Sequence, residues 1–434
     1  MAGKRQSRIL EATAKLVAEH GYLGFTLKDL LPEAGVGLVT VRKHFGDKEG
    51  CYLALFDRAA AEAERRCAEA FAGERGSGEE KVGAAVRALF ELIAAHPEVA
   101  CACLVEQFAA GPAAIGRYGA VLRRLAAILR GGRDATGEQA EQGEMREEEL
   151  GAAVLWLPTE CLLAGEAERI PRLAAIVAEF VVAPDIWGGE RLDLLEMTPE
   201  RERATSGREG GEGAAEPLLG PLPSGKHKLP REVVVRSQRE RLLAAAAETV
   251  AERGYGAVIV SDIVRRARVS RRSFYVMFEG KEECVLAAWE VVAAHLRELV
   301  LDGATAARCE VPQKALAGLG AVLGFLAAEP GLARFCMVES LAAGPLAAKR
   351  YREAVGSFAV ALRASLAAST LDSPVPEATE ELLVGSVATT LSLRIATEGV
   401  ERLPMLALEL GVFLLGPYLG YAEAGRIVRE VADA

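Results

Sequence analysis

Aromatic side chains make up only 6% of the 434 residues, and groups suited to catalysis are as sparse: five scattered histidines and eight cysteines without a C-x-x-C pair. Cys101 and Cys103 stand two apart, too close for the usual zinc-knuckle spacing. With no Ser/His/Asp set, phosphate-binding glycine loop or metal cluster in view, neither an enzyme nor a bound cofactor or metal is expected. The cysteines read as small buried hydrophobes in a reducing cytoplasm, with a redox sensor as the alternative. Long hydrophobic runs are missing too. The most apolar stretch, 403–421, contains Glu409 and Pro417, which suits a buried helix better than a membrane span. The opening residues, MAGKRQSRILEATA, hold no apolar run of the roughly 7–15 residues of a secretory leader, so a cytoplasmic protein without a membrane partner is expected. Positive charge is short as well. At a net −10 the chain as a whole is not drawn to nucleic acid, and any such surface must be local.

What is present is alanine and leucine. A hydrophobic content of 51% with so few aromatics favours an all-α protein packed through small residues, and 434 residues allow two to four domains. Charge is segregated: residues 1–50 hold 8 Lys/Arg against 6 Asp/Glu, and residues 226–283 hold 13 against 8.

In order along the chain, Lys4, Arg5 and Arg8 form a basic arm, and a helical pattern runs to residue 20, with Gly21 as an αL cap. Thr26 caps a second helix over 27–34, whose last turn Pro32 must disturb. Gly35 suits a turn, 38–45 a third helix, and Lys48 opens a long fourth towards Phe71. Three short helices feeding a longer one make a helix-turn-helix unit with its stalk. Helical patterns follow over 82–95, 97–110, 112–129, 147–165 and 171–182, with a polar loop at 131–146. Residues 188–236 lack a sustained period and read as a flexible linker, ending in a basic arm at 226–239.

The chain then repeats itself. At an offset of 233 residues, 18 of the 50 positions from 8 to 57 are identical without a gap. Gly21-Tyr22 falls on Gly254-Tyr255, Asp29 on Asp262, Phe45 on Phe278, Lys48-Glu49 on Lys281-Glu282, and Cys51 on Cys284. VEQFAAGPAAIGRY at 105–118 falls on VESLAAGPLAAKRY at 338–351, so the repeat extends into the C-terminal part of each module.

Residues 269–283, VSRRSFYVMFEGKEE, are the most informative stretch. Ser270 suits a helix cap, Phe274 and Phe278 share one helical face, and Arg271, Arg272, Ser273, Tyr275 and Val276 are left on the others. Such a helix suits a DNA major groove. This stretch resembles the recognition helix of the tetracycline-repressor (TetR, AcrR-like) family of bacterial transcription regulators, which reads roughly V-S-x-x-[ST]-[LF]-Y-x-x-F…K-[ED]. The resemblance implies two tandem all-α modules, each a helix-turn-helix DNA-binding domain with a C-terminal helical bundle for effector binding and dimerisation. The corresponding boundaries are 1–57, 58–187, the linker 188–236, 237–290 and 291–434.

By that resemblance Ser273, Tyr275 and Lys281 position the second unit on phosphates, while Arg271 and Arg272 reach base edges. Met277 stands where family members often have His or Tyr, Ile259 where Thr is common, and Arg268 where the turn Gly is frequent. The first unit departs further. Gly37 replaces the Ser cap, Arg42 the Tyr, and Leu38 and Val39 the two arginines, while Thr26, Thr40, Arg42, Lys43, His44 and Lys48 remain as phosphate contacts. Phe108, Tyr118 and Trp156, with Phe335, Tyr351 and Phe358, suit either core packing or the walls of an apolar effector pocket. Family-like pairing would join the helices near 149–165 and 171–184 to those near 381–398 and 404–417. The function expected is a ligand-responsive repressor, a pseudo-dimer within one chain, on an asymmetric double-stranded DNA operator with an unknown small-molecule effector. The alternative is a degenerate fused regulator that binds a partner or small molecule without DNA.

Overall fold

A sequence rich in helix formers, with glycines and prolines gathered between periodic segments, has helices as its regular elements throughout the described residues, with no strand among them. In this computed structural model those residues are 2–134, 144–183, 231–306, 311–366 and 375–433. The first half comprises α1 (Ala2–His20), α2 (Leu27–Ala34), α3 (Leu38–Phe45), α4 (Lys48–Gly73), α5 (Gly78–Ala95), α6 (Pro97–Leu104), α7 (Gln107–Ala110), α8 (Pro112–Asp134), α9 (Glu144–Ala164) and α10 (Ala174–Val182). The second comprises α11 (Arg231–Arg253), α12 (Val260–Ala267), α13 (Arg271–Met277), α14 (Lys281–Ala306), α15 (Val311–Ala328), α16 (Pro330–Met337), α17 (Pro345–Leu366), α18 (Thr379–Thr397), α19 (Leu406–Leu419) and α20 (Tyr421–Asp433).

Local chemistry sets most of these ends. Asp47 caps α4 by accepting from the Gly50 N–H at 2.8 Å, and Ser77 and Glu80 form a reciprocal capping box on α5. Several expectations are corrected. The basic residues Lys4 and Arg5 belong to α1 rather than to an arm. Gly21 takes a left-handed φ of 72° but an extended ψ of 162°, so it turns the chain out of α1 instead of forming an αL cap. Pro32 sits inside α2 without ending it, and Gly35 closes that helix in the αL conformation at φ 59°, ψ 43°. The single helix expected over 97–110 breaks at Val105-Glu106, because the Glu106 carboxylate turns inward to accept the Tyr22 N–H at 2.7 Å. The repeat breaks in the same place, where Glu339 accepts from the Tyr255 N–H at 3.2 Å.

Helix α11 starts at Arg231, inside the stretch read as linker; residues 184–230 lie outside the described residues, as do 135–143 of the expected polar loop. Helices α4 and α14 run unbroken through residues 57 and 290, so each DNA-binding unit shares its last helix with the bundle behind it. No single helix among the described residues is long and apolar enough to cross a membrane. The stretch 403–421 instead supplies α19, with Leu410, Val412, Phe413, Leu415 and Tyr418 buried.

The halves meet through α9 against α18, flanked by α8 and α17. The Ser386 hydroxyl donates to the Glu149 carbonyl at 2.6 Å across this seam, and Arg394 pairs with Glu148 at 3.0 Å. The expected contribution of 171–184 and 404–417 is not what packs there. Their apolar faces are used within their own halves, α10 against α5 and α19 against α15 and α20.

Candidate nucleic-acid interface

In the second half, Ser270 caps α13 as its sequence suggests, its hydroxyl accepting from the Ser273 N–H at 3.0 Å. The Ser273 hydroxyl lies 2.9 Å from the same oxygen, so it faces the cap. Phe274 is wholly buried and anchors the helix on its unit. Phe278 is buried too, but in extended backbone just past the last turn, so the two rings meet at 5.6 Å around the helix end rather than along one helical face. Arg271 and Arg272 stand exposed in the first turn, and among the described residues neither has an ion-pair partner. Nearby arginines are engaged: Arg253 and Arg265 both pair with Asp262, at 2.9 and 2.6 Å, and Arg266 pairs with Glu248 and Glu252. Tyr275 is 57% and Val276 76% exposed, as a groove-facing surface requires. Arg268 closes α12 with φ 52°, a left-handed conformation that its counterpart Gly35 adopts freely.

The first unit builds the same frame around different chemistry. Thr26 precedes α2, but its hydroxyl and its N–H both donate to Asp29 Oδ2, at 2.7 and 2.8 Å, which holds that carboxyl below its usual range. Gly37 gives α3 no side-chain cap. Val41 is buried as core, while Val39 is 81% exposed and Arg42 and Lys43 are exposed beside it. Leu38 and Thr40 are half-buried, and His44 Nδ1 meets Gln6 Nε2 at 3.2 Å.

Two expected phosphate contacts are placed differently. Lys48 is half-buried, and its ammonium donates to the carbonyls of Tyr22 and Phe25 at 2.8 and 3.1 Å, 4.2 Å above the Tyr22 ring. Lys281 repeats this, donating to the Tyr255 carbonyl at 2.9 Å and lying 3.8 Å from the centre of its ring. Burial lowers the pKa of both lysines. Each ammonium thus pins the turn after the first helix of its unit to the start of the stalk, a geometric reason to give both lysines a structural role. The sequence pattern did not reveal these backbone partners within each unit. Glu106 and Glu339 hold the same turn from the bundle side, and their only signal was the repeated Val-Glu at 105–106 and 338–339.

The aromatic residues proposed for a pocket separate into three groups. Tyr118 lines an apolar cavity of about 600 Å³ in the first bundle, with Leu55, Phe56, Leu89, Val99 and Cys103. Tyr351 and Phe358 line a second of about 190 Å³ in the other bundle, where Phe335 is not part of the wall but wholly buried core. Phe108 and Trp156 face neither large cavity; they border a small void of about 50 Å³ between the halves. The cysteines among the described residues are free and at least half-buried, and burial pushes the thiols of Cys51, Cys67, Cys103, Cys284 and Cys336 up to about 12, which leaves them unreactive.

A short helix anchored on its unit by a buried apolar side chain, Val41 in α3 and Phe274 in α13, and presenting other residues to solvent is the reading element of a helix-turn-helix DNA-binding unit, and the frame occurs twice. The sequence pattern described as "Bacterial regulatory proteins, tetR family" matches residues 9–55 and again 242–288. Two tandem copies of the helix-turn-helix domain of that family are thus present in the chain. No curated protein matches it. Among solved structures it is similar to the transcriptional regulator FadR from Bacillus subtilis in complex with stearoyl-CoA, at 19% identity over 41% of this chain and 97% of that one, TM-score 0.37. The fatty acid degradation regulator FadR from Bacillus halodurans gives the same values. The TetR family regulator PfmR from Thermus thermophilus is 22% identical over 41% and 94% of the two chains, TM-score 0.33.

Proposed function

We propose that one chain acts as a complete regulator: its two unequal helix-turn-helix units bind the two parts of one asymmetric DNA site, and an apolar small molecule in the first bundle controls that binding. The observation that carries this reading is the inequality of the exposed first turns, Arg271-Arg272 against Leu38-Val39, on otherwise repeated frames. An arginine fork matches guanine O6 and N7, whereas apolar side chains sense only thymine methyls and shape.

The effector belongs in the cavity of about 600 Å³, whose wall is apolar and whose lining includes the exposed Arg58, Arg65 and His96. A ligand with an apolar body and a polar end fits that lining. Two of its walls lead to the DNA-binding unit. Val99, Ala100, Cys103 and Leu104 belong to α6, which ends beside Glu106 and its bond to Tyr22. Leu55 and Phe56 belong to α4, whose first residue, Lys48, holds the carbonyls of Tyr22 and Phe25. A molecule that moves α6 against α4 therefore acts on both ends of one turn. It shifts DNA affinity only if it favours one arrangement over the other.

Titration of duplex genomic fragments with the full chain, with and without a panel of apolar metabolites, tests this. One chain per duplex at saturation, and a metabolite that changes the affinity, are expected. Two chains per duplex would overturn single-chain recognition, and no response to any apolar ligand would overturn the control.

A further inference from the structure

Several close contacts across the seam join residues whose repeat counterparts cannot make them. Trp156 of α9 lies against Gly385 of α18 so closely that a single methyl added to Gly385 would overlap the indole. The counterparts at the 233-residue offset are Thr389 and Ala152, a small side chain facing an alanine, and both border the unfilled void of about 50 Å³. Arg352 of α17 is nearly buried; it pairs with Glu160, donates to the Trp156 carbonyl and stacks 3.5 Å from the indole centre. Its counterpart contact is Gly119 against Leu393, with no charge on either side. Between the DNA-binding units, Leu23 packs on its own counterpart, Gly256, where a Cβ would lie 3.1 Å from the leucine.

From these pairs we infer that the seam is a matched lock: the α8–α9 face of the first half accepts the α17–α18 face of the second half and rejects a copy of itself. Two first halves would drive each Trp156 into the Ala152 methyl and take from each Glu160 the Arg352 guanidinium, the nearby Arg123 beside Gly119 being held already by Glu148. Two second halves would bring each Arg352 against Leu393, a nearly buried guanidinium without a carboxylate, and leave a gap between each Gly385 and Thr389. Steric fit and charge both oppose the equal pairs, as specificity against alternatives requires. The consequence is functional. Two unequal DNA readers stay together on one particle, and neither half is drawn into a symmetric pair with another chain or a related homodimeric regulator.

This rests on the reading that the halves pair within one chain, and the test separates the two claims. The full chain receives a specific protease site between residues 188 and 230, is cut after folding, and is mixed with the same cut protein labelled with ¹⁵N. The mixture is unfolded in urea, refolded and weighed by native mass spectrometry. Light–heavy pairs of one first and one second half, without like-half pairs, are expected. Like-half pairs in statistical share would overturn the lock while leaving the pairing intact; halves that stay single at micromolar concentration would overturn the pairing reading itself. In the same assay a chain with Trp156→Thr, Glu160→Leu, Arg352→Gly and Gly385→Ala, which makes the two faces equal at all of these positions, should admit like-half pairs. If that variant remains exclusive, these four residues are not the determinants and the inference fails.

Discussion

Single side chains separate the two halves. Arg271 and Arg272 are free to contact bases, and replacing either by Ala should cost about 1–3 kcal/mol of DNA affinity and relax specificity at one part of the site only. Changing Leu38 and Val39 should affect the opposite part, and binding to DNAs mutated in each part checks both. Arg268 holds a left-handed backbone that glycine adopts without strain. Arg268→Gly should therefore raise stability by up to about 1 kcal/mol in urea unfolding, the gain being offset in part by the greater freedom of glycine in the unfolded chain. Glu106 gives a pH signature. Burial raises its carboxyl pKa, opposed by the bond from the Tyr22 N–H. Its folded pKa thus lies above the unfolded one, so the native state holds the extra proton. That contribution to stability is full below the unfolded value and is lost as pH rises through the folded value. Urea midpoints between about pH 4 and pH 7 should fall more steeply with pH for the native chain than for Glu106→Gln. Equal slopes would remove Glu106 from the account.

At the scale of elements, the turns Tyr22–Gly24 and Tyr255–Ala257 are where each DNA-binding unit meets its bundle. A lysine from the stalk and a glutamate from the bundle hold each turn from opposite sides. Lys281→Ala removes a charged hydrogen bond and a cation–π contact, so it should lower the stability of the chain by roughly 1–3 kcal/mol. If it instead left unfolding unchanged and only flattened the salt dependence of DNA binding, the lysine would be a phosphate contact after all. The short helices α2 and α3 were readable from sequence because flanking glycines and core positions agree locally, and both have the bounds the pattern suggests. What was not readable is long-range. Nothing in the local pattern around residues 97–110 says that Glu106 breaks a helix to reach a backbone N–H 84 residues away, or that Lys48 curls onto two carbonyls. Likewise Phe278 keeps its buried position but leaves the helix, since burial fixes where a ring goes and not the backbone that delivers it.

For the whole molecule, the ungapped repeat announced two like modules, while their arrangement depended on side chains that differ between the copies. The family resemblance suggested α10 and α19 for the seam beside α9 and α18, yet the most apolar helices are those most fully used inside each bundle. The seam uses α9 and α18, where a glycine, an indole and a guanidinium fit together. The proposal that one chain acts as a fixed pair of unequal readers has an asymmetric DNA site as its most direct consequence. Selection of bound duplexes from a random pool by the full chain measures it. The expected consensus has one guanine-containing, strongly specified part and a second, looser part without two-fold symmetry. A consensus with perfect two-fold symmetry would contradict the account.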